Sequence, residues 1–357
     1  MERRRDPPLV DVLALQQAAC EQAGSRLYAR ILAAMADDVR SGGRCGQILE
    51  PWAANAMHDA VPLRFLAAVH ALVLHGDAPD LARHYPSAGG ADPACTGADP
   101  VPDFLATVEA HADAIAGSMH LGVQTNEVGR AASLFGGFHA VARRWGLPLR
   151  QLEVGASAGL LLRWDRYGYR TADGQISWGA EDGLVFDDPW TGPVPEVDPD
   201  LAIDDRRGCD RAPIDPTSDD GAVRLRSFLW PDQVDRLDRL ERAIAVARRV
   251  PAVVDEADAA DWVEEQLADP APGRATVVHH SIVLQYLPKA TFRRMRAAIE
   301  AAGERATPDA PMHWLRMEPA GDVADVRMTS WPGLDGDRDE ELLATTGYHG
   351  PPVSWRR

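Results

Sequence analysis

The sequence predicts an α/β protein in which an all-helical N-terminal domain precedes a largely parallel β-sheet. Two patterns lead to this prediction. Residues 1–145 carry apolar side chains at helical spacing and show no period-two alternation. From Pro148 onwards, short apolar runs alternate with amphipathic stretches, as strands and helices do in an α/β domain. We therefore expect two domains, residues 1–145 and residues 146–357.

The composition is that of a globular protein with an acidic surface. Of 357 residues, 45% are hydrophobic and 25% are charged, and the formal net charge is -17. Such a surface repels a phosphate backbone, so we expect no nucleic-acid partner. No stretch approaches the roughly 20 apolar residues of a membrane span, so we expect no membrane partner either.

The cysteines indicate a reducing compartment. Cys20, Cys45, Cys95 and Cys209 lie far apart and form no C-x-x-C pair. Neither a zinc site nor a disulfide framework is therefore expected. We predict a cytoplasmic protein without a metal.

Four helices are predicted in the first domain. Apolar side chains at helical spacing run from Val10 to Val39, and Ser41-Gly42-Gly43 ends that helix. Pro62 opens a second helix, and two more are expected near 102–119 and 126–145.

The second domain is predicted to alternate strands with helices. Strands are expected at LRQLEV, LAIDDRRGCD, PAVVDEAD, RATVVHHSIVLQ, APMHWLRME and DVRMTSW, with a final antiparallel pair in ELLATTGYHGPPVSW. A hairpin is expected around the Asp173-Gly174 turn. A long charged helix over 220–249 and shorter helices over 259–268 and 289–302 separate the strands.

The segment LEVGASAGL, residues 152–160, is the most informative. A strand ends there in small residues and is expected to open a helix. Backbone N–H groups at Gly155, Ala156, Ser157 and Gly159 can then approach a nucleoside-type ligand or an anion closely. Glu153, just before the turn, has the position of the acid that organises such a loop.

Two other interpretations of this turn stay open. The same letters satisfy G-x-S-x-G, the nucleophile elbow of α/β-hydrolases, with Ser157 as the nucleophile and His349 as a candidate triad member. Only helices precede this strand, however, and no HGGG-like segment lies upstream. The third interpretation is a tight turn that binds nothing.

Later acids follow in the order typical of a nucleoside-dependent methyltransferase. Asp210 lies at the expected end of the second strand and is the candidate acceptor for ribose hydroxyls. Asp258 and Ala259 follow the third strand, where an acid would meet the adenine amino group. The fourth strand, within 277–288, would end at the edge that faces the reacting centre. This order favours nucleoside binding at the turn.

The chain resembles, nearly end to end, an uncharacterised family known as domain of unknown function 2332. The resemblance is carried by AGSRLYARILAAMADD (23–38), QTNEVGRAASL (124–134), EVGASAGLLLRWDRYGY (153–169), RRGCDRAPIDP (206–216), FLWPDQVDRLDRLERAI (228–244) and the strand around His280. That family is similar to class I S-adenosylmethionine-dependent methyltransferases. The resemblance implies a Rossmann-like methyltransferase-type sheet behind a helical cap, with S-adenosylmethionine as cofactor. Leu161 departs from the asparagine usual in the family, and Ser157 from the middle glycine of the methyltransferase loop.

The stretch before the first strand carries candidate substrate-binding residues. Gln124, Asn126 and Arg130 can hydrogen-bond a carboxylate, and the Arg130 guanidinium offers a bidentate fork. The alternative is that Asn126 or Thr125 caps the following helix.

His280 and Asp215 are the candidate catalytic acid–base residues. Neighbouring strand residues point to opposite faces, so at most one of His279 and His280 faces a site, and His280 matches the family position. A structural hydrogen bond is the alternative for His280. A turn before Pro216 is the alternative for Asp215.

Together these features predict a methyltransferase-like enzyme that acts on a small polar metabolite in biosynthesis. The first alternative keeps the fold but, because of Ser157 and Leu161, does not use S-adenosylmethionine. That enzyme would catalyse elimination or ring closure on a small metabolite, with a partner subunit as an option. A non-catalytic binding protein and a serine hydrolase using Ser157 are the remaining alternatives.

Overall fold

The computed structural model describes residues 7–124, 126–333 and 338–356, which divide into two compact units. The helical unit contains the described residues up to Gln124 together with Ser218–Asp238. The sheet unit contains Asn126–Thr217 and the described residues from Arg239 onwards. The division thus falls at 125/126 rather than at 145/146, and residues 218–238 join the helical unit from the middle of the chain.

The helices are numbered along the chain. Their bounds are α1 Leu9–Gln22, α2 Arg26–Arg40, α3 Arg44–Leu49, α4 Val61–His75, α5 Pro79–Ala82, α6 Pro93–Thr96, α7 Val101–Ala110, α8 Ala112–Ser118, α9 Arg130–Trp145, α10 Asp219–Ser227, α11 Val234–Ala247, α12 Ala259–Gln266 and α13 Lys289–Glu304. Short 3-10 helices lie at Glu50–Asn55, Pro86–Ala88, Leu161–Arg166 and Leu284–Tyr286. Among the described residues, no helix has both the length and the apolar composition needed to cross a membrane.

Three of the helices predicted from the sequence are each divided into two helices in the structure. The single helix expected over 10–39 is divided between α1 and α2, because Gly24 has a φ of 88° and the Ser25 hydroxyl accepts a hydrogen bond from Tyr28 N–H. A left-handed glycine ends one helix and a serine N-cap begins the next. The helix expected over 102–119 divides at His111 into α7 and α8. The helix expected over 220–249 is interrupted at Trp230-Pro231, because proline supplies no backbone N–H for continuing it.

The helical unit holds residues 218–238 by polar and aromatic contacts. Asp232 accepts hydrogen bonds from the Ser25 hydroxyl at 2.7 Å and from Leu27 N–H at 3.3 Å. The ring centroid of Trp230 lies 6.4 Å from that of the buried Tyr28. These contacts place the late segment at the beginning of α2, which explains why it belongs to this unit.

The strands have the following bounds. They are β1 Leu149–Val154, β2 Gly168–Arg170, β3 Ser177–Trp178, β4 Val185–Asp187, β5 Ile203–Asp210, β6 Val253–Glu256, β7 Ala275–Ser281, β8 Met312–Ala320, β9 Val323–Trp331, β10 Asp339–Gly347 and β11 Gly350–Trp355. The predicted hairpin is confirmed, since Tyr169 pairs with Trp178 and Arg170 with Ser177 in antiparallel strands.

Eight strands form one large sheet in the order β11-β10-β9-β8-β7-β1-β5-β6. The five neighbouring strands β8, β7, β1, β5 and β6 are parallel to one another. On the other side of β8, the strands β9, β10 and β11 are each antiparallel to the strand before them. The predicted mixed α/β architecture with a mostly parallel sheet is therefore confirmed. From β1, the chain adds β5 and then β6 on one side of the sheet, and afterwards β7 and β8 on the other side, so the direction of strand addition reverses at β1. A crevice at the carboxyl ends of β1 and β7 is expected from such a reversal.

Helices cover both faces of this sheet. On one face, Leu152 of β1 and Val278 of β7 join a core cluster with Trp262 of α12 and Ile299 of α13. Neighbouring strand residues point to opposite faces, so His279 points to the other face, where its ring meets Phe138 of α9 at a centroid distance of 5.2 Å.

Helix α9 belongs to the sheet unit because its aromatic side chains pack against aromatic residues of that unit. The Phe135 ring lies 4.3 Å from Tyr169, 5.5 Å from Trp178 and 5.2 Å from Trp190, measured between ring centroids. Tyr169 and Trp178 belong to the small sheet β3-β2-β4. This aromatic packing moves the unit boundary from the predicted residue 145 to the residues before α9.

Candidate functional site

The glycine turn after β1 is tight and left-handed at three positions. Gly155, Ser157 and Gly159 have φ values of 71°, 53° and 66°. Glycine adopts this region without strain, whereas Ser157 carries a Cβ in it and is only 6% exposed. The turn therefore has the shape that the small residues of the sequence predict.

Asp210 binds the turn through its carboxylate. Its Oδ2 accepts the Ser157 N–H at 2.9 Å, and its Oδ1 accepts the Ala212 N–H at 2.9 Å. Gly155 and Ala156 both donate their N–H groups to the carbonyl of Cys209, each at 2.9 Å. The end of β5 thus holds the turn from one side.

Asn126 binds the far end of the turn. Its Oδ1 accepts the Leu160 N–H at 3.1 Å, and the Gly159 N–H donates to the carbonyl of Ala156 at 2.7 Å. The N–H groups of residues 155, 156, 157, 159 and 160 therefore all have acceptors within the chain. Asn126 lies at the predicted place beside the turn, but it does not cap α9, whose N-cap is Gly129. Thr125, the other predicted cap, lies outside the described residues.

The helix expected after the turn is a six-residue 3-10 helix, Leu161–Arg166, with a kink at Arg163. Leu161 is buried at 2% exposure. A regular helix would project aligned N–H groups and a dipole towards a ligand, and this short segment supplies little of either. The expected anion-binding helix N-terminus is therefore absent from this part of the described chain.

Arg163 supports the turn from behind, which the sequence analysis did not anticipate. The side chain is buried, and its Nη1 donates to the carbonyls of Gly159 at 2.7 Å and Ala158 at 3.3 Å. Its Nε donates to the carbonyl of Val250 at 2.7 Å. No local motif marks this arginine, because its acceptors are backbone carbonyls of the turn and of a loop far along the chain.

Val283 covers the first glycine of the turn. A Cβ built on Gly155 would lie only 2.4 Å from Cγ2 of Val283, so a side chain at position 155 would clash. The preceding residue, Ile282, has a φ of 52°, which is unusual and strained for a β-branched residue. Backbone strain of this kind is concentrated at functional sites in proteins.

Glu153 is a buried acid at the end of the central strand. It is 2% exposed, and its Oε2 has no hydrogen-bond partner. Burial and the charge of Asp210 raise its pKa well above the usual range, whereas Arg163 and Arg130 act in the opposite direction. The side chain that the sequence predicted as a loop organiser is thus a carboxyl group whose protonated form is favoured.

Arg130 lies at the beginning of α9 and reaches two neighbouring segments. Its Nη1 donates to the carbonyl of Ser281 at 3.1 Å, and its Nε donates to the carbonyl of Tyr348 at 3.0 Å. Its charge also acts on Glu153. Arg130 therefore lies at the carboxyl end of β7 and close to Glu153.

His280 is fully buried and both of its ring nitrogens are engaged. The Trp314 indole N–H donates to Nε2 at 3.0 Å, so Nε2 is an acceptor. The ring proton therefore lies on Nδ1, which donates to Oε1 of Glu318 at 2.6 Å. Among the interpretations of His280, this geometry agrees with a structural hydrogen bond better than with a proton-transferring base.

His279 lies on the other face and is also buried. The Gln151 amide donates to its Nε2 at 3.1 Å, and burial lowers its pKa to about 3. Gln151 in turn accepts a hydrogen bond from the Trp164 indole at 3.2 Å. This polar chain lies beneath the glycine turn and stays neutral at ordinary pH.

The remaining predicted residues have local structural partners. Asp258 is the N-cap of α12 and accepts the Ala260 N–H at 2.9 Å, with Ala259 buried in the first turn. Asp215 is exposed and accepts both the N–H and the hydroxyl of Thr217, which closes a turn. Gln124 belongs to the helical unit. Of the predicted site residues, the structure brings together Glu153, the glycine turn, Asp210, Asn126 and Arg130. Asp258 and Asp215 instead form a helix cap and a turn elsewhere.

The sequence matches the model of a known protein family over most of its length. Residues 11–355 correspond to the family described as "Uncharacterized protein conserved in bacteria (DUF2332)". No curated protein matches the sequence. Within the described ranges, no group of three or more His, Cys, Asp or Glu side chains is arranged to hold a metal ion.

Proposed function

This chain belongs to that bacterial family, domain of unknown function 2332, and we propose that it is an enzyme that transfers protons on a small polar metabolite. The reaction takes place at the edge of the sheet where β1 and β7 end. Its class is an elimination or a ring closure, and S-adenosylmethionine takes no part in it.

Glu153 is the observation on which this proposal depends most. An acid without a partner at Oε2, held at the end of the central parallel strand, is costly to keep unless it has a chemical role. Its raised pKa favours the protonated form, which a general acid needs. Arg130, close by, supplies a positive charge for an anionic group of the substrate.

In an elimination, Glu153 acts on the leaving group. A base takes a proton from a substrate carbon, and the electron pair of the C–H bond forms the new double bond. The bond to the leaving oxygen or nitrogen breaks with its electron pair, and that atom takes the Glu153 proton. In a ring closure by attack on a carbonyl, a base takes the proton of a substrate hydroxyl or amine, whose electron pair forms the new bond to the carbonyl carbon. The π electrons of the carbonyl move to its oxygen, which takes the Glu153 proton.

S-adenosylmethionine does not fit the turn in this arrangement. Each Asp210 oxygen already accepts an N–H group, so the candidate ribose acceptor instead fastens the turn. Val283 lies against Gly155, where a ligand would have to approach the backbone. A 3-10 helix follows in place of a regular helix. These features favour the alternative without the cofactor.

A second candidate, S-adenosylmethionine-dependent methyl transfer, is favoured by the order of the strands. Numbered within the large sheet, the parallel strands β6, β5, β1, β7 and β8 follow the order 3-2-1-4-5, which is the first part of the Rossmann order. A Rossmann-like methyltransferase-type sheet is therefore part of the proposal. The hydrolase interpretation has less support, because a nucleophile elbow enters a regular helix directly after the serine.

Two measurements test the proposal. The first is calorimetric titration of the protein and of Asp210→Ala with S-adenosylmethionine and S-adenosylhomocysteine, where we expect no binding to either protein. The second is incubation in deuterium oxide with a deproteinised small-molecule extract of bacterial cells, followed by mass spectrometry. We expect at least one metabolite to lose a small neutral molecule, or to gain deuterium, only in the presence of the protein.

Matched variants decide the outcome of the second measurement. Glu153→Gln should abolish the change, and Glu304→Gln, at an exposed site on α13, should leave it intact. Micromolar binding of S-adenosylmethionine that is lost in Asp210→Ala would overturn the proposal in favour of methyl transfer. Turnover that survives in Glu153→Gln would also contradict it.

A further inference from the structure

We propose that Glu318 is the proton acceptor of this site, a catalytic role that rests on the function proposed above. Glu318 lies near the end of β8, next to the carboxyl end of β7. The two ends of its carboxylate have different surroundings. One oxygen is held by three donors, and the other has none.

The held oxygen is Oε1. It accepts Nδ1–H of His280 at 2.6 Å, the Val283 N–H at 3.1 Å and the Leu284 N–H at 3.4 Å. Ile282, whose φ is 52°, immediately precedes the two residues that donate these backbone N–H groups. Three donors on one oxygen fix the orientation of the carboxylate and leave the other oxygen as the proton acceptor.

The other oxygen is Oε2, which is buried and has no hydrogen-bond partner. The side chain as a whole is 14% exposed, whereas Oε2 itself is buried. A buried acceptor without a donor is rare in a folded protein, and a catalytic role is one of its few explanations. A substrate C–H or X–H group can supply the missing donor.

Glu318 is connected to the glycine turn by direct contact through Val283. The backbone N–H of Val283 donates to Glu318, and the side chain of the same residue lies on Gly155, two residues after Glu153. Both carboxyl groups therefore lie at the carboxyl edge of the sheet, Glu153 on the face of His279 and Glu318 on the face of His280. They differ in environment: Glu153 is buried without a donor, whereas Glu318 is held by three. This difference in hydrogen-bond donors distinguishes the proposed acid from the proposed base.

The proposed reaction conserves protons. In the elimination, Glu318 Oε2 takes the proton of the C–H bond that breaks, and Glu153 gives its proton to the leaving atom. In the ring closure, Glu318 Oε2 takes the proton of the attacking hydroxyl or amine, and Glu153 gives its proton to the carbonyl oxygen. After one turnover Glu318 is protonated and Glu153 is ionised. Exchange of one proton with water at each group restores the starting state, and no oxidant or second substrate is needed.

Labelling of the full-length protein tests the accessibility of Glu318. A water-soluble isoxazolium reagent that reacts with ionised carboxylates is applied at pH 7, and the modified peptides are mapped by mass spectrometry. We expect modification at Glu318, although the side chain is only 14% exposed. The exposed Glu304 is the internal reference for complete reaction. Modification of Glu304 with protection of Glu318 would overturn the proposal, because a substrate could then not reach Oε2.

The deuterium assay gives a second, separate measurement. Glu318→Gln, which keeps one oxygen for the three donors, should lower turnover about 10²–10⁴-fold, with Glu318→Asp retaining part of it and Glu304→Gln all of it. Full turnover in Glu318→Gln would contradict the role of Glu318 but leave the proposed function of the protein intact. Absence of turnover in the unmodified protein would contradict the proposed function, while the labelling result would still decide whether Glu318 is open to small molecules.

Discussion

The indole N–H of Trp314 donates to Nε2 of His280 across 3.0 Å and so fixes the imidazole proton on Nδ1. The same arrangement occurs at His313, where the Trp145 indole donates to Nε2 at 2.9 Å and Nδ1 meets the Ser330 hydroxyl at 2.9 Å. In both cases a tryptophan decides which nitrogen carries the proton. For His280, the consequence is a permanently oriented donor to Glu318.

Replacing Trp314 by phenylalanine should release the His280 tautomer. The ring then has no donor at Nε2, so both neutral tautomers become populated and the bond to Glu318 weakens. Nitrogen chemical shifts of the imidazole, recorded for the variant and for the unmodified protein, measure the change. A single tautomer in Trp314→Phe would show that Glu318 alone fixes the proton.

Replacing Gly155 by alanine should be more destabilising than replacing Gly174. The two glycines have nearly equal φ values, 71° and 74°, but only the Cβ at 155 meets another side chain, Val283. Both variants lose about 1–2 kcal/mol from the left-handed backbone, and Gly155→Ala loses about 1–3 kcal/mol more from overpacking. Urea unfolding measures both. The double variant Gly155→Ala, Val283→Ala should recover part of the extra loss.

Replacing Glu153 by glutamine should stabilise the protein increasingly as pH rises. A carboxyl whose pKa is raised on folding contributes its stability below the unfolded pKa, and that stability is lost as pH rises towards the folded pKa. The unmodified protein thus loses up to about 1.4 kcal/mol per pH unit above pH ~4.5 through this group. Unfolding free energies from pH 5 to 8 should diverge between the two proteins. Parallel curves would show that Glu153 titrates normally, and Glu304→Gln is the control.

Acid should destabilise the sheet unit through its buried histidines. Burial lowers the pKa values of His279 and His313 from 6.5 to about 3. Both bind a proton when unfolded but not when folded, so stability is present above pH 6.5 and falls as pH decreases towards 3. Each contributes up to about 1.4 kcal/mol per pH unit in that window. His313→Gln should reduce the slope of the unfolding free energy against pH by the contribution of one proton. His120→Gln, at an exposed site, should leave that slope unchanged.

Replacing Asp210 by alanine should loosen the glycine turn. The Ser157 N–H loses its acceptor in a buried position, which costs about 1–3 kcal/mol. Amide hydrogen exchange at Ser157 should increase in the variant. Asp182→Ala, at an exposed position, should change the unfolding free energy by less than about 0.5 kcal/mol. Unchanged exchange at Ser157 would mean that Gly155 and Ala156 hold the turn without Asp210.

The features predicted correctly from sequence are those determined by neighbouring residues. The run Leu149–Val154 is a strand, and Asp173-Gly174 marks a hairpin, because apolar runs and turn residues act locally. The clustering of Glu153 and Asp210 at one edge follows from parallel strands, whose carboxyl ends lie together. These regularities do not depend on the details of side-chain packing.

The features that sequence analysis missed depend on contacts between distant residues. Glu318 receives its donors from His280, Val283 and Leu284, more than thirty residues earlier in the chain. The boundary before α9 depends on the packing of Phe135 against Tyr169 and Trp190. No local spacing contains this information, because it arises only when the sheet has formed.

The return of residues 218–238 to the helical unit bears on how this gene can change in evolution. A recombination event that transfers the first 125 codons carries α2 but leaves behind Asp232, the partner of Ser25. Moving a complete helical unit requires junctions at 125/126, 217/218 and 238/239. Because the second and third junctions interrupt the chain between β5 and β6, neither unit can be exchanged by terminal fusion.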